Sequence, residues 1–101
     1  MPKVYVVNKS THDFSGAKKF GKLIYCTEGR MNRFDTNNML RKFSDAMRNS
    51  NKDDYILLCS LNVMNAMACA TFAWKHGTLN LLLYKDRTYM ERNHKFGKSI
   101  K

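Results

Sequence analysis

Two short stretches of the chain are apolar on consecutive residues: Val4-Tyr5-Val6-Val7 and Tyr55-Ile56-Leu57-Leu58-Cys59. A strand with one wet face alternates apolar and polar side chains, whereas a strand that is apolar at every position needs cover on both faces. β-branched and aromatic residues dominate both stretches, which favours strands over helix turns. Two such strands require a sheet sandwiched between helical layers. A chain of 101 residues can build one core of this kind and is too short for two ordinary domains.

The segments between these strands fit that plan. Asp13 can cap a short helix over Phe14 to Phe20, with Gly21 as its left-handed stop, and Leu23 to Cys26 follow as a second buried strand. Strand, helix and strand within about 25 residues favour a parallel pair joined by a crossover. Thr36 can cap the next helix, in which Met39, Leu40, Phe43 and Met47 recur at helical spacing. Ser60 can cap a third helix that ends near His76-Gly77. This helix is apolar nearly all round, with Ala66, Ala68, Ala70 and Ala73 permitting close approach to a sheet, so it is expected at the centre of the core. Leu79 to Tyr84 form a fourth strand, Lys85-Asp86-Arg87 a hairpin turn, and Thr88 to Arg92 an antiparallel edge strand. The expected fold is a three-layer βαβαβαββ α/β domain over residues 1–92, with a mostly parallel sheet of order 2-1-3-4-5. A basic tail over residues 93–101 completes the chain.

Pro2 is the only proline and no linker-like stretch divides the chain. The start runs into a strand without the pattern of a secretory signal, and the longest apolar region, Val63 to Trp74, falls short of the roughly 20 residues that span a bilayer. Cys26, Cys59 and Cys69 form an odd set in apolar surroundings, which suits free thiols in a reducing cytoplasm. His12, His76 and His94 are scattered and no metal-ligand spacing occurs, so no metal or other cofactor is expected. Phosphate-binding glycine loops are also missing, which argues against ATP hydrolysis and dinucleotide binding.

The net charge of +10 makes nucleic acid, a nucleotide phosphate or an acidic protein surface the natural partner. Residues 1–33 carry seven basic and two acidic groups, while Tyr55 to Tyr84 hold only Lys75. In a parallel sheet, ligands favour the crevice at the strand ends where the strand order reverses. That crevice gathers Asn8, Lys9, Ser10, His12 and Asp13 beside Ser60 and Asn62, with Thr27, Glu28, Arg30 and Arg33 on the flank. Lys9, Arg30, the Ser60 hydroxyl and the first amides of the third helix are suited to holding a phosphate; equally, Ser10, Asp13 and Ser60 suit plain helix caps. For an enzyme acting on a nucleotide or phosphodiester, His12 and Glu28 are the candidate acid/base groups. Binding of an anionic partner is the leading expectation, with such an enzyme and a protein-binding inhibitor as alternatives.

Three segments, Lys3 to Asp13 (K-V-Y-V-V-N-K-S-T-H-D), Gly29 to Phe34 (G-R-M-N-R-F) and Asp53 to Leu58 (D-D-Y-I-L-L), followed by the alanine-rich helix, resemble a group of small uncharacterised proteins of tailed bacteriophages. The resemblance spans residue 3 to about residue 92. It implies expression in a bacterial cytoplasm and an accessory role such as countering defence or redirecting host machinery, and it carries no chemistry of its own.

Overall fold

The computed structural model describes residues 1–96. Five strands, β1 (Lys3–Val6), β2 (Lys22–Tyr25), β3 (Tyr55–Leu57), β4 (Thr78–Lys85) and β5 (Thr88–Lys95), form one sheet of order β2-β1-β3-β4-β5. β2, β1, β3 and β4 run parallel and β5 returns antiparallel beside β4. Helices α1 (Thr36–Ala46) and α2 (Asn62–His76) cover one face, and a six-residue 3₁₀ helix, Ser15–Phe20, covers the other.

The two continuous apolar runs lie side by side at the middle of the sheet, and Val4 to Val7 are at most 1% exposed. Alternate residues feed opposite cores. Tyr5, Val7 and Ile56 pack with Met39, Phe43, Met64 and Phe72 from the two α-helices. Val4, Val6 and Leu57 pack with Phe14, Ala17, Leu82 and Tyr89 on the 3₁₀ side. Each fully buried apolar side chain contributes about 1.5–3 kcal/mol relative to exposure, so both layers are required.

Local chemistry departs from the sequence reading at several joints. Asp35, not Thr36, caps α1, its Oδ1 accepting from the Asn38 amide at 3.2 Å. Leu61 precedes α2 with no side-chain cap, and the Ser60 hydroxyl donates to Met64 Sδ at 3.2 Å. The Phe14 to Phe20 segment is a 3₁₀ turn pair and not an α-helix. Its stop, Gly21, has φ 154° and is required by close approach: a Cβ there would collide with the Pro2 carbonyl. Helix α2 does end as expected on Gly77, in the left-handed conformation with its amide bonded to Ala73 O. It is not buried all round, since Trp74 is 90% exposed and lines, with Leu40, Met47, Met67 and Ala70, a groove of about 560 Å³ between α1 and α2.

Strand β5 runs past Arg92 to Lys95, pairing Asn93 with Asn80 and Lys95 with Thr78. The first residues assigned to a basic tail are therefore sheet, and residues 97–101 of that tail lie outside the described residues. The hairpin turn is placed as expected, with Asp86 and Arg87 at φ 52° and 66°, the signature of a two-residue turn matched to strand twist.

The end of the sheet opposite the loops after β1, β2 and β3 is pinned by a buried carboxylate. Asp54 accepts from the Lys3 amide at 2.9 Å and from the Asn51 amide at 2.7 Å, with Lys3 Nζ at 3.9 Å. Asn80 on β4 donates to the Lys52 and Asp54 carbonyls at 2.8 Å each. The starts of β1, β3 and β4 thus share one polar knot. Asp54→Ala strands two amides and is expected to lower the unfolding free energy by about 3 kcal/mol, read by urea denaturation; a change below about 1 kcal/mol would show that the knot is not structural.

His76, at the end of α2, packs on Phe72 with ring centroids 4.6 Å apart and shares a 2.7 Å hydrogen bond with Ser50. Burial and the neighbouring Lys75 hold its imidazolium below the ordinary histidine range near 6.5. The unfolded chain therefore takes up this proton more readily than the folded one. That contribution to stability is present above the ordinary value and is lost as pH falls below it. Thermal unfolding between about pH 7.5 and pH 5.5 should show a decline in Tm that His76→Gln reduces; an unchanged decline in the variant would assign it elsewhere.

Candidate functional site

The backbone beyond the strand ends is fixed before any ligand is considered. The pairing of β1 and β2 continues past both strands through Lys9 N to Thr27 O at 2.8 Å and a parallel bridge between Lys9 and Glu28. Thr27 is 6% exposed, and its hydroxyl lies 2.8 Å from Val7 O and 2.7 Å from Asn8 Oδ1. Asn8 Nδ2 donates to Gly29 O at 3.0 Å, and the Cys59 thiol approaches Asn8 O at 3.6 Å. Asn8 therefore ties together the exits of β1, β2 and β3. Both Asn8 and Thr27 commit their side chains to this scaffold.

The residues expected in the crevice separate onto two sides of the sheet. Ser60 and the exposed Asn62 lie at the start of α2. His12 turns the other way, over the 3₁₀ face, where its ring lies 5.0 Å from that of Phe14 and 5.7 Å, edge-on, from that of Tyr84. Ser10 Oγ accepts from the His12 amide at 3.2 Å, and Asp13 Oδ1 accepts from the Ser15 amide at 2.9 Å. That bond with Ser15 holds the Asp13 carboxyl below its ordinary range. Asp13 is thus engaged in the turn, while Glu28 sits beside Lys9 on the β2 side. His12 has no hydrogen bond or ion pair with either carboxylate among the described residues.

Arg30 and Arg33 are exposed in the loop from Gly29 to Asp35, which is shaped by Asn32 Oδ1 accepting from the Phe34 amide at 3.0 Å and holds Phe34 85% exposed. Lys9 Nζ lies 5.5 Å from the centre of the Tyr25 ring. Lys9, Arg30, Arg33, Lys85 and Arg87 take part in no ion pair among the described residues.

The sequence reading missed the aromatic part of this edge. Rings run in series from Tyr25 through Phe14, His12 and Tyr84 to Tyr89, with successive centroids 6.4, 5.0, 5.7 and 5.3 Å apart. Tyr25 and Tyr84 are 41% and 53% exposed. A concavity lined by Lys18, Lys22, Leu23 and Tyr25 continues the surface along β2. Tyr25 closes β2 and Tyr84 stands one residue from the end of β4, so in the sequence both look like ordinary strand formers. Their position at the strand ends was the available signal.

The two cysteines at this edge are held as thiols. Burial pushes the Cys26 thiol up to about 12 and raises Cys59 as well, the reverse of what a reactive thiolate needs. Among the described residues no group of three or more His, Cys, Asp or Glu side chains is placed to hold a metal ion. No helix among them is long and apolar enough to cross a membrane.

Fold and edge together define a small α/β protein with a mostly parallel five-stranded sheet, whose strand-end loops carry cations and accessible rings on the thinly covered face. The chain belongs to the Phage Pam3 gp32-like protein family, whose profile matches residues 2–96, and is a small phage protein. No curated protein and no solved structure matches it.

Proposed function

We propose that this phage protein is a non-enzymatic accessory factor that binds an anionic partner, nucleic acid foremost, along the strand-end edge of its sheet in the cytoplasm of the infected host. The observation that carries this reading is the alternation of accessible rings with cations that make no ion pair among the described residues: Lys9 over Tyr25, His12 against Tyr84, then Lys85 and Arg87 in the hairpin turn. Cations track phosphates and rings stack on bases, and the combination is how proteins bind single-stranded nucleic acid with little sequence preference. Asn8 and Thr27 serve by holding the loops, and Arg30 and Arg33 extend the positive field from the flank.

His12 bears on the choice between binding and catalysis. Its neighbours are the rings of Phe14 and Tyr84, and a ring among rings is placed for stacking, whereas proton transfer calls for an orienting carboxylate. A protein-binding inhibitor is the second reading, favoured by the groove between α1 and α2 and the exposed indole of Trp74.

Fluorescence anisotropy with a labelled single-stranded oligonucleotide across a salt series tests the proposal. Affinity should fall linearly with salt on logarithmic axes. Lys9→Ala combined with Arg30→Ala should weaken binding about tenfold and flatten the slope by about 0.7 for each phosphate no longer neutralised. His12→Ala should change affinity by only a few-fold. Salt-insensitive binding, or a slope that the double variant leaves intact, would remove the edge from the account, and multiple turnover lost on His12→Ala would restore the enzyme.

A further inference from the structure

On the 3₁₀ face, at the ends of β3 and β4, the aromatic series closes around a depression of about 280 Å³ lined chiefly by His12, Phe14, Leu57, Cys59, Tyr84 and Tyr89. Its size lies just below the range of about 300–1,000 Å³ typical of drug-sized ligands, which suits a single ring system. The walls are unsuited to an anion: they are mostly apolar, and the Cys59 thiol is held protonated by burial.

Part of the wall is open to a guest. Tyr89 is 6% exposed and backs the depression. Tyr84 stands edge-on to His12 and is half exposed, leaving ring surface available to a planar guest.

We infer that this depression receives one unstacked base of a single-stranded nucleic acid, with Tyr84 and His12 as stacking surfaces. The inference rests on the proposed binding of nucleic acid along the same edge and adds what that reading leaves open, the seat of a base. Lys9, Lys85 and Arg87 then lie on the path of the phosphates that flank the seated nucleotide. Duplex nucleic acid keeps its bases stacked and cannot fill the depression without the cost of flipping one out.

The test compares an oligothymidylate of about ten nucleotides with an abasic strand of equal length and therefore equal phosphate charge, by fluorescence anisotropy at fixed salt. The intact strand should bind at least about tenfold more tightly, the scale of one base stacked on an aromatic ring. Tyr84→Ala should bring its affinity to that of the abasic strand while leaving the salt slope unchanged. Equal and salt-dependent binding of the two strands would overturn the base seat and leave the phosphate-binding edge standing. Binding of neither strand would overturn both.

Discussion

Strand β1 has no wet face. Val4, Val6 and Val7 are fully buried and Tyr5 nearly so, and their side chains point by turns into two separate cores. A strand in that situation cannot exist without a layer on each side, so the crossover from β1 to β2 and that from β3 to β4 pass over opposite faces of the sheet. Chains leaving β1 and β3 therefore diverge, and the loop-bearing edge exists because they do. At the other end of the sheet Asp54 and Asn80 gather the starts of β1, β3 and β4, so the polar knot and the open edge lie at opposite poles.

The two layers are unequal, and the inequality shapes the surface. Eleven- and fifteen-residue helices cover one face, while six residues of 3₁₀ helix cover the other. The thin layer is completed by rings, Phe14, Tyr89 and Tyr84, which fill area that a longer helix would have covered. Rings used in this way remain partly accessible, and the cations beside them come from the loops and the hairpin turn. The thick face shows the opposite balance, with an apolar groove at the α1–α2 contact and Lys75 Nζ turned inward onto the Met47 and Arg48 carbonyls.

Architecture was legible because burial pattern decides it: uninterrupted apolar runs placed β1 and β3 at the centre, and handedness then left the order 2-1-3-4-5. Joints were less legible because several residue types satisfy the same local need. Asp35 and Thr36 are both good caps, and only the backbone geometry chose Asp35. The end of β5 was hidden by its polar composition; Arg92 to Lys95 are held by register with β4 and by Thr78 Oγ1 bonding to His94 O at 2.7 Å, not by their own propensity. In the candidate site, Lys9, His12, Arg30 and Arg33 are exposed, but the divergence of the crossovers turns His12 to the face opposite the start of α2. The aromatic series joins residues from 14 to 89, and sequence spacing has no means of showing that Tyr25 and Tyr84 stand on one edge.

The central claim is positional: an anionic strand is held on the strand-end edge over the thinly covered face. Amide chemical-shift mapping during titration with a short single-stranded oligonucleotide tests it directly. The account predicts the largest shifts at Lys9 to Phe14, Tyr25 to Arg30 and Tyr84 to Thr88, with α1 and α2 unaffected beyond their first turns. Shifts concentrated around Leu40, Met67 and Trp74, or spread evenly over every exposed lysine, would contradict it.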